Sequence, residues 1–222
     1  IMGPVNLPGW GIVKVKSIME KKTGIKTAVD NDANCAAYGE KWLGAAKNAD
    51  NVVGLTLGTG IGGGIIADGR LIRGANYNAG EIGHISLNPD GEKCNCGALG
   101  CFERYASASA IAKIAEKKIR AGRKSIMTEL VKGDLNRLTS KNVYEALLNN
   151  DEAAKETWDE FIKYLAAGVA NVINFMNPEV VVIGGGVINA GKRLFEPLIK
   201  GVKKQTFDAT FSAARIVSAK LG

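Results

Sequence analysis

Three cysteines within eight residues, Cys94, Cys96 and Cys101, lie just downstream of the chain's single histidine, His84. Three thiolates and one imidazole make a closed tetrahedral zinc set, and an ion with no open coordination position is structural. The glycines of CNCGALGC let the backbone turn tightly around such an ion. An odd cluster of cysteines without an export signal points to metal rather than to a disulfide framework. Reduced, buried thiols are the plainer alternative. Glu81 in GEIGH and Glu103 in CFE flank the ligands, so the ion would pin two carboxylates towards one pocket. The fourth cysteine, Cys35, sits apart in NDANCAAYGE and is expected to be a small core residue.

A second group of chemical residues is DNDAN, Asp30 to Asn34, where a strand is predicted to meet a helix. Asp and Asn are preferred helix N-caps, which accounts for one or two of them. Four polar residues in five exceed what a cap needs, and a buried carboxylate beside an amide could hold a sugar hydroxyl and take its proton. Two glycine turns complete the set. GTGIGGG, Gly58 to Gly64, has the G-x-G-x-x-G spacing, but it leads into a second strand rather than a helix, so the dinucleotide fingerprint fails. What remains is a turn, with Thr59 as its hydroxyl, that either is a plain hairpin or points backbone N–H groups at a phosphate. Gly184, Gly185 and Gly186 follow VVVI and precede a predicted helix, the usual place for a nucleotide at the carboxyl end of a sheet, although close helix packing also uses such glycines.

The elements that must position these residues are legible as hydrophobic periodicity. Helices are predicted over about 13–22, 33–43, 107–120, 125–131, 141–148, 152–175 and 190–204. The long 152–175 helix places Phe161, Leu165, Val169, Val172 and Ile173 on one stripe and stops at Asn177-Pro178. Strands are predicted for IKTAV (25–29), for 52–57, for the run through IIADGRLI with Asp68-Gly69 as a hairpin turn, for EVVVIG and for ARIVSAK. Strands alternating with helices and no repeat or linker give one α/β body.

Composition bounds the remaining possibilities. Of 222 residues, 46% are hydrophobic and 23% charged, a globular balance that excludes general disorder. No apolar run approaches the ~18 residues of a membrane span. The opening IMGPVNLPGW lacks the basic and apolar regions of a leader, so a cytoplasmic, reducing compartment is expected. The 29 Lys and Arg against 22 Asp and Glu give a charge of +7, but the basic residues are spread along helices such as KIAEKKIRAGRK. That pattern reads as solvated helix faces and not as a nucleic-acid surface.

NLPGW (6–10), DNDAN (30–34), LTLGTGIGGG (55–64), GEIGH (80–84), CNCGALGCFE (94–103) and NPEVVVIGGGV (177–187) occur in that order, and together they resemble the ROK family, most of all its bacterial glucokinases. The resemblance implies an actin-like ATPase (ribonuclease H-like) α/β fold that closes on a hexose and ATP with Mg²⁺. It implies transfer to the sugar's 6-hydroxyl, most often glucose, in a cytoplasmic homodimer or higher homo-oligomer. By the same resemblance Asp32 is the general base. Asn31, Asp32, Glu81, His84 and Glu103 contact the sugar. Gly58, Thr59 and Gly60 form the second phosphate turn, and Gly184, Gly185 and Gly186 form the adenosine turn. His84, Cys94, Cys96 and Cys101 hold structural Zn²⁺. The family's first phosphate loop, Asp-x-Gly-Gly-Thr, and the Mg²⁺-associated carboxylate expected with it have no counterpart here. Residues 1–222 are therefore expected to be the large second domain, with its zinc loop at about 80–105 and the first domain absent. A sugar-responsive transcriptional repressor of the same family, lacking its DNA-binding region, is the alternative.

Overall fold

The computed structural model describes residues 13–221, so NLPGW falls outside the described residues. The chain divides into two compact units, Ile1–Asp32 and Ala33–Gly222. In the first, α1 (Val15–Thr23) ends on Gly24, whose left-handed φ of 71° lets its N–H bond to the Glu20 carbonyl. The strand predicted for 25–29 does not form. A β-rich sequence becomes a strand only with a ladder partner. Here the segment's bonds run locally instead, from Thr27 N–H to Glu20 Oε1 and from the Thr27 hydroxyl to the Ile25 carbonyl.

Helix α2 (Asp32–Trp42) starts on the last residue of the first unit and leads into the second. There the hairpin β1 (Val52–Leu57) and β2 (Ile61–Ala67) is followed by the short β3 (Arg70–Leu71). Asp68 and Gly69 both have positive φ, 49° and 73°, as a two-residue hairpin turn requires. Helices α3 (Glu103–Ala106), α4 (Ala108–Arg120), α5 (Met127–Leu130), α6 (Ser140–Leu148) and α7 (Glu152–Met176) come next. The chain then runs through β4 (Val180–Gly184), α8 (Lys192–Lys203), α9 (Asp208–Ala213) and β5 (Arg215–Ser218). Helix α9 was not expected from periodicity, being little more than one turn long.

The strands form one sheet in the order β3-β2-β1-β4-β5. The hairpin side is antiparallel, and β1, β4 and β5 are parallel. Side chains alternate between its two faces. Val53, Leu55, Leu57, Val181 and Ile183 join the main core with the predicted stripe of α7 and with Leu194 and Leu198 of α8. Val52, Ile66, Val180 and Val182 face a smaller cluster that includes Ala37 of α2. The glycines of β1 and β2 explain how α2 lies so close. A Cβ at Gly54 would stand 2.7 Å from that of Ala37, and one at Gly62 would stand 2.8 Å from that of Ala33. At Gly64 it would meet Ala37 as well as the Ala33 carbonyl, 2.9 Å away.

This packing overturns the expectation for Cys35, which is exposed. The face of α2 that meets the sheet is set by Ala33 and Ala37, four residues apart, and Cys35 lies between them on another face. The close approach also yields a prediction. Gly64→Val should lower stability by about 1–3 kcal/mol, the usual cost of overpacking, because backbone and methyl groups occupy the space. A lower denaturant midpoint at unchanged m is the expected result, and an unchanged midpoint would show that α2 can lift away freely.

Candidate metal and phosphate site

Residues 82–106 build one side of the site. Ile82–His84 form a single 3₁₀ turn, and the loop after it is laced by backbone bonds: Leu87 N–H to Gly100 O, Phe102 N–H to Ile85 O and Cys94 N–H to Ala98 O, all 2.8 Å. Phe102 is fully buried. It faces Gly168 in the middle of α7, where any Cβ would collide with its ring. Tyr105 stacks on Tyr164 of α7 with ring centroids 4.5 Å apart. The residue pair Phe102 and Gly168 was not singled out from the sequence. Its visible signal was a glycine inside an otherwise strong helix, which calls for a packing reason.

The anchored loop gathers His84, Cys94, Cys96 and Cys101, whose donor atoms all lie within 4.8 Å of one another. Cys96 Sγ is 3.6 Å from Cys101 Sγ, and Cys94 Sγ is 3.8 Å from His84 Nδ1. A tetrahedral zinc with ~2.3 Å bonds separates its ligands by about 3.8 Å, so the donor set fits such an ion in type, number and spacing. Burial pushes the Cys94 thiol up, and burial together with its two neighbouring thiols pushes Cys101 up to about 12. Cys96 is lowered, chiefly by the Ala98 N–H. Without a cation, Cys94 and Cys101 therefore keep their protons at neutral pH.

Two carboxylates border the cluster. Glu103 Oε1 accepts a hydrogen bond from Cys94 Sγ at 3.1 Å and lies 3.9 Å from His84 Nδ1, while Glu81 Oε2 faces His84 Nε2 at 3.8 Å. The other oxygen of Glu103 reaches the hairpin, accepting from Ile61 N–H at 3.4 Å. Gly60 has no room for a Cβ because that oxygen occupies the position. Glu103 thus ties the cysteine loop to the turn Gly58-Thr59-Gly60. Within that turn Gly58 N–H bonds to Gly60 O at 3.0 Å. The N–H groups of Thr59 and Gly60 make no bond among the described residues.

The second glycine turn adjoins the first. Thr56 pairs with Gly184 in register, and a Cβ at Gly185 would strike the Leu57 carbonyl. Gly185 has a φ of 93°, which favours glycine. Both turns therefore project from the carboxyl ends of neighbouring parallel strands, where open α/β sheets bind ligands. One detail differs from the expected strand, glycines and helix. A 3₁₀ turn, Gly186–Ala190, intervenes, and α8 begins only at Lys192. Asn31 and Asp32 belong to the first unit and are exposed, so Asp32 is not the buried carboxylate expected. It stands in the first turn of α2, where a carboxylate meets the positive end of the helix dipole.

Sheet order, hairpin and paired turns define an actin-like, ribonuclease H-like α/β protein. The sequence matches the ROK family over residues 1–222, and the chain belongs to that family. It is 44% identical over 202 residues to a glucokinase of Halalkalibacterium halodurans, which covers 90% of this chain and 59% of that protein. The crystal structure of a ROK family glucokinase from Streptomyces griseus, in complex with glucose and AMPPNP, has a TM-score of 0.84 at 34% identity, covering 96% of this chain and 70% of that one. A ROK family transcriptional regulator, a homologue of the E. coli Mlc protein, also has a TM-score of 0.84, at 30% identity, covering 98% of this chain and 54% of that one. The chain thus spans about three fifths of the length of the Halalkalibacterium relative.

Because Cys94 and Cys101 are held protonated, zinc uptake by metal-free protein at neutral pH should release at least two protons. Calorimetric heats should then vary with the ionisation enthalpy of the buffer, and affinity should fall as the solution is acidified. Heats independent of buffer would contradict thiolate ligation.

Proposed function

We propose that this chain is the large domain of a ROK sugar kinase that transfers a phosphoryl group from ATP to the 6-hydroxyl of a hexose, with glucose as the favoured sugar. The observation that carries this is the meeting of two glycine turns at the carboxyl ends of neighbouring strands, with Glu103 linking the first of them to a loop that bears four metal donors. Phosphoryl transfer asks the protein mainly for positioning and charge stabilisation, which such turns can supply. The available N–H groups of Thr59 and Gly60 would bind phosphate oxygens, and the Gly184–Gly186 turn would carry the nucleoside.

On this reading Glu81, His84 and Glu103 orient the sugar hydroxyls together with Asn31, and Asp32 accepts the proton of the 6-hydroxyl. Asp32 stands exposed at a helix start. His84, Cys94, Cys96 and Cys101 would hold Zn²⁺, which supplies a cross-link that fixes the loop and no chemistry of its own. Mg²⁺ would accompany ATP. A cytoplasmic homo-oligomer belongs to the same reading. No helix among the described residues is long and apolar enough to cross a membrane.

A repressor role is supported by the equal fold match to the Mlc-like regulator. The presence in one sequence of Asp32 and two complete glycine turns favours the kinase, because a sensor needs to bind sugar but has no use for a base. The test is glucose 6-phosphate formation by the full-length protein. Asp32→Asn should lower kcat by about 10²-fold or more, the scale of a lost general base, with little change in glucose affinity. Full turnover in that variant would remove Asp32 from the mechanism. Wild-type protein that binds glucose without phosphorylating it would favour the repressor.

A further inference from the structure

A cavity of about 240 Å³ lies between the metal loop and helices α3, α4 and α7, and the site described above does not use it. Four cations, Arg104, Lys113, Lys117 and Lys118, share its walls with two carboxylates, Glu92 and Glu160, an excess of two positive charges. Lys118 bonds to Glu160 at 2.8 Å. Glu92 serves two partners: one oxygen meets Lys117, and the other accepts from Arg104 Nη2 at 3.2 Å. No oxygen of Glu92 remains for Arg104 Nε–H, which is buried and has no partner among the described residues. Nε–H and Nη2–H form one edge of the guanidinium, a fork shaped to bridge two oxygens of an oxyanion. Glu92 engages half of that fork. A buried donor without an acceptor is unfavourable, so the cavity lacks one acceptor oxygen. We propose that it binds a phosphate group, which takes the place of the Glu92 carboxylate.

A phosphomonoester carries about two negative charges and three acceptor oxygens at neutral pH. Two of those oxygens can take the Nε–Nη2 edge of Arg104, and the third can take Lys117 and Lys113. Lys113 is exposed and makes no ion pair among the described residues. The Tyr105 hydroxyl, also in the lining, accepts from Glu92 N–H at 3.1 Å and keeps its own proton to donate. A carboxylate ligand is a poorer occupant, because its two oxygens would only repeat what Glu92 already does. Size agrees with a small anion. Whole-ligand sites enclose roughly 300–1,000 Å³, so this cavity suits a phosphate group with few attached atoms and not a nucleotide. None of its residues is assigned above to sugar, phosphoryl transfer or zinc, so the inference stands apart from the kinase reading.

The test is titration calorimetry of the full-length protein at fixed ionic strength, with inorganic phosphate and glucose 6-phosphate as probes. Glucose is kept in excess so that the ester does not enter the sugar site. Lys113→Gln should weaken phosphate binding about threefold, the scale of an exposed charge pair. Glu92→Gln should tighten it about tenfold, because the competing carboxylate has lost its charge. Opposite changes in the two variants are a pattern that misfolding does not produce. Equal affinities for both probes assign the cavity to free phosphate, whereas tighter binding of the ester that falls in Lys113→Gln assigns it to the sugar phosphate. Unchanged binding in Lys113→Gln, or unchanged or weaker binding in Glu92→Gln, overturns the proposal. So does a wild-type protein that binds neither probe, and the kinase reading stands in each of these cases.

Discussion

Three thiols and an imidazole gathered within 4.8 Å of one another place a constraint on everything around them. Such a group is unfavourable as bare side chains, since the sulfurs cannot ionise together without a cation and buried thiols offer only weak hydrogen bonds. It persists because the backbone holds it from both sides. Phe102 is buried against Gly168 of α7, and its two chain neighbours are Cys101 and Glu103. One core contact thus fixes a metal donor and a site carboxylate at once. The loop is anchored by this aromatic side chain as well as by its donors, so metal loss should disturb the carboxylates more than the fold.

Glu103 transmits that constraint to the sheet. One of its oxygens faces Cys94 and His84 while the other meets the hairpin at Ile61 N–H. The hairpin in turn shares its edge with β4, so the glycine turns are held relative to the metal loop through a short chain of contacts. On the proposed reading the sugar carboxylates and the phosphate turn move as one piece, which is what in-line transfer needs.

Much of this was legible in the sequence because the signals were local. The stripe of α7, the Asp68-Gly69 turn and the spacing of the cysteines each state their structure within a few residues. Longer-range facts were not legible. IKTAV has strand composition but finds its bonds locally, and Cys35 is exposed because the glycines of β1 and β2 admit only the Ala33–Ala37 face of α2. The sequence reads Gly58 to Gly64 as one glycine-rich turn. In the structure only Gly58 to Gly60 form the turn, and Gly62 and Gly64 make room for the helix. Nothing local in the sequence joins Phe102 to Gly168, which are 66 positions apart.

The central claim is that these four donors hold one zinc ion and so fix the site. X-ray absorption at the zinc edge of the freshly purified full-length protein tests it most directly. The account predicts three sulfur scatterers at ~2.3 Å and one nitrogen at ~2.0–2.1 Å around a single ion per chain. An absent zinc edge, or a shell dominated by oxygen, would contradict it.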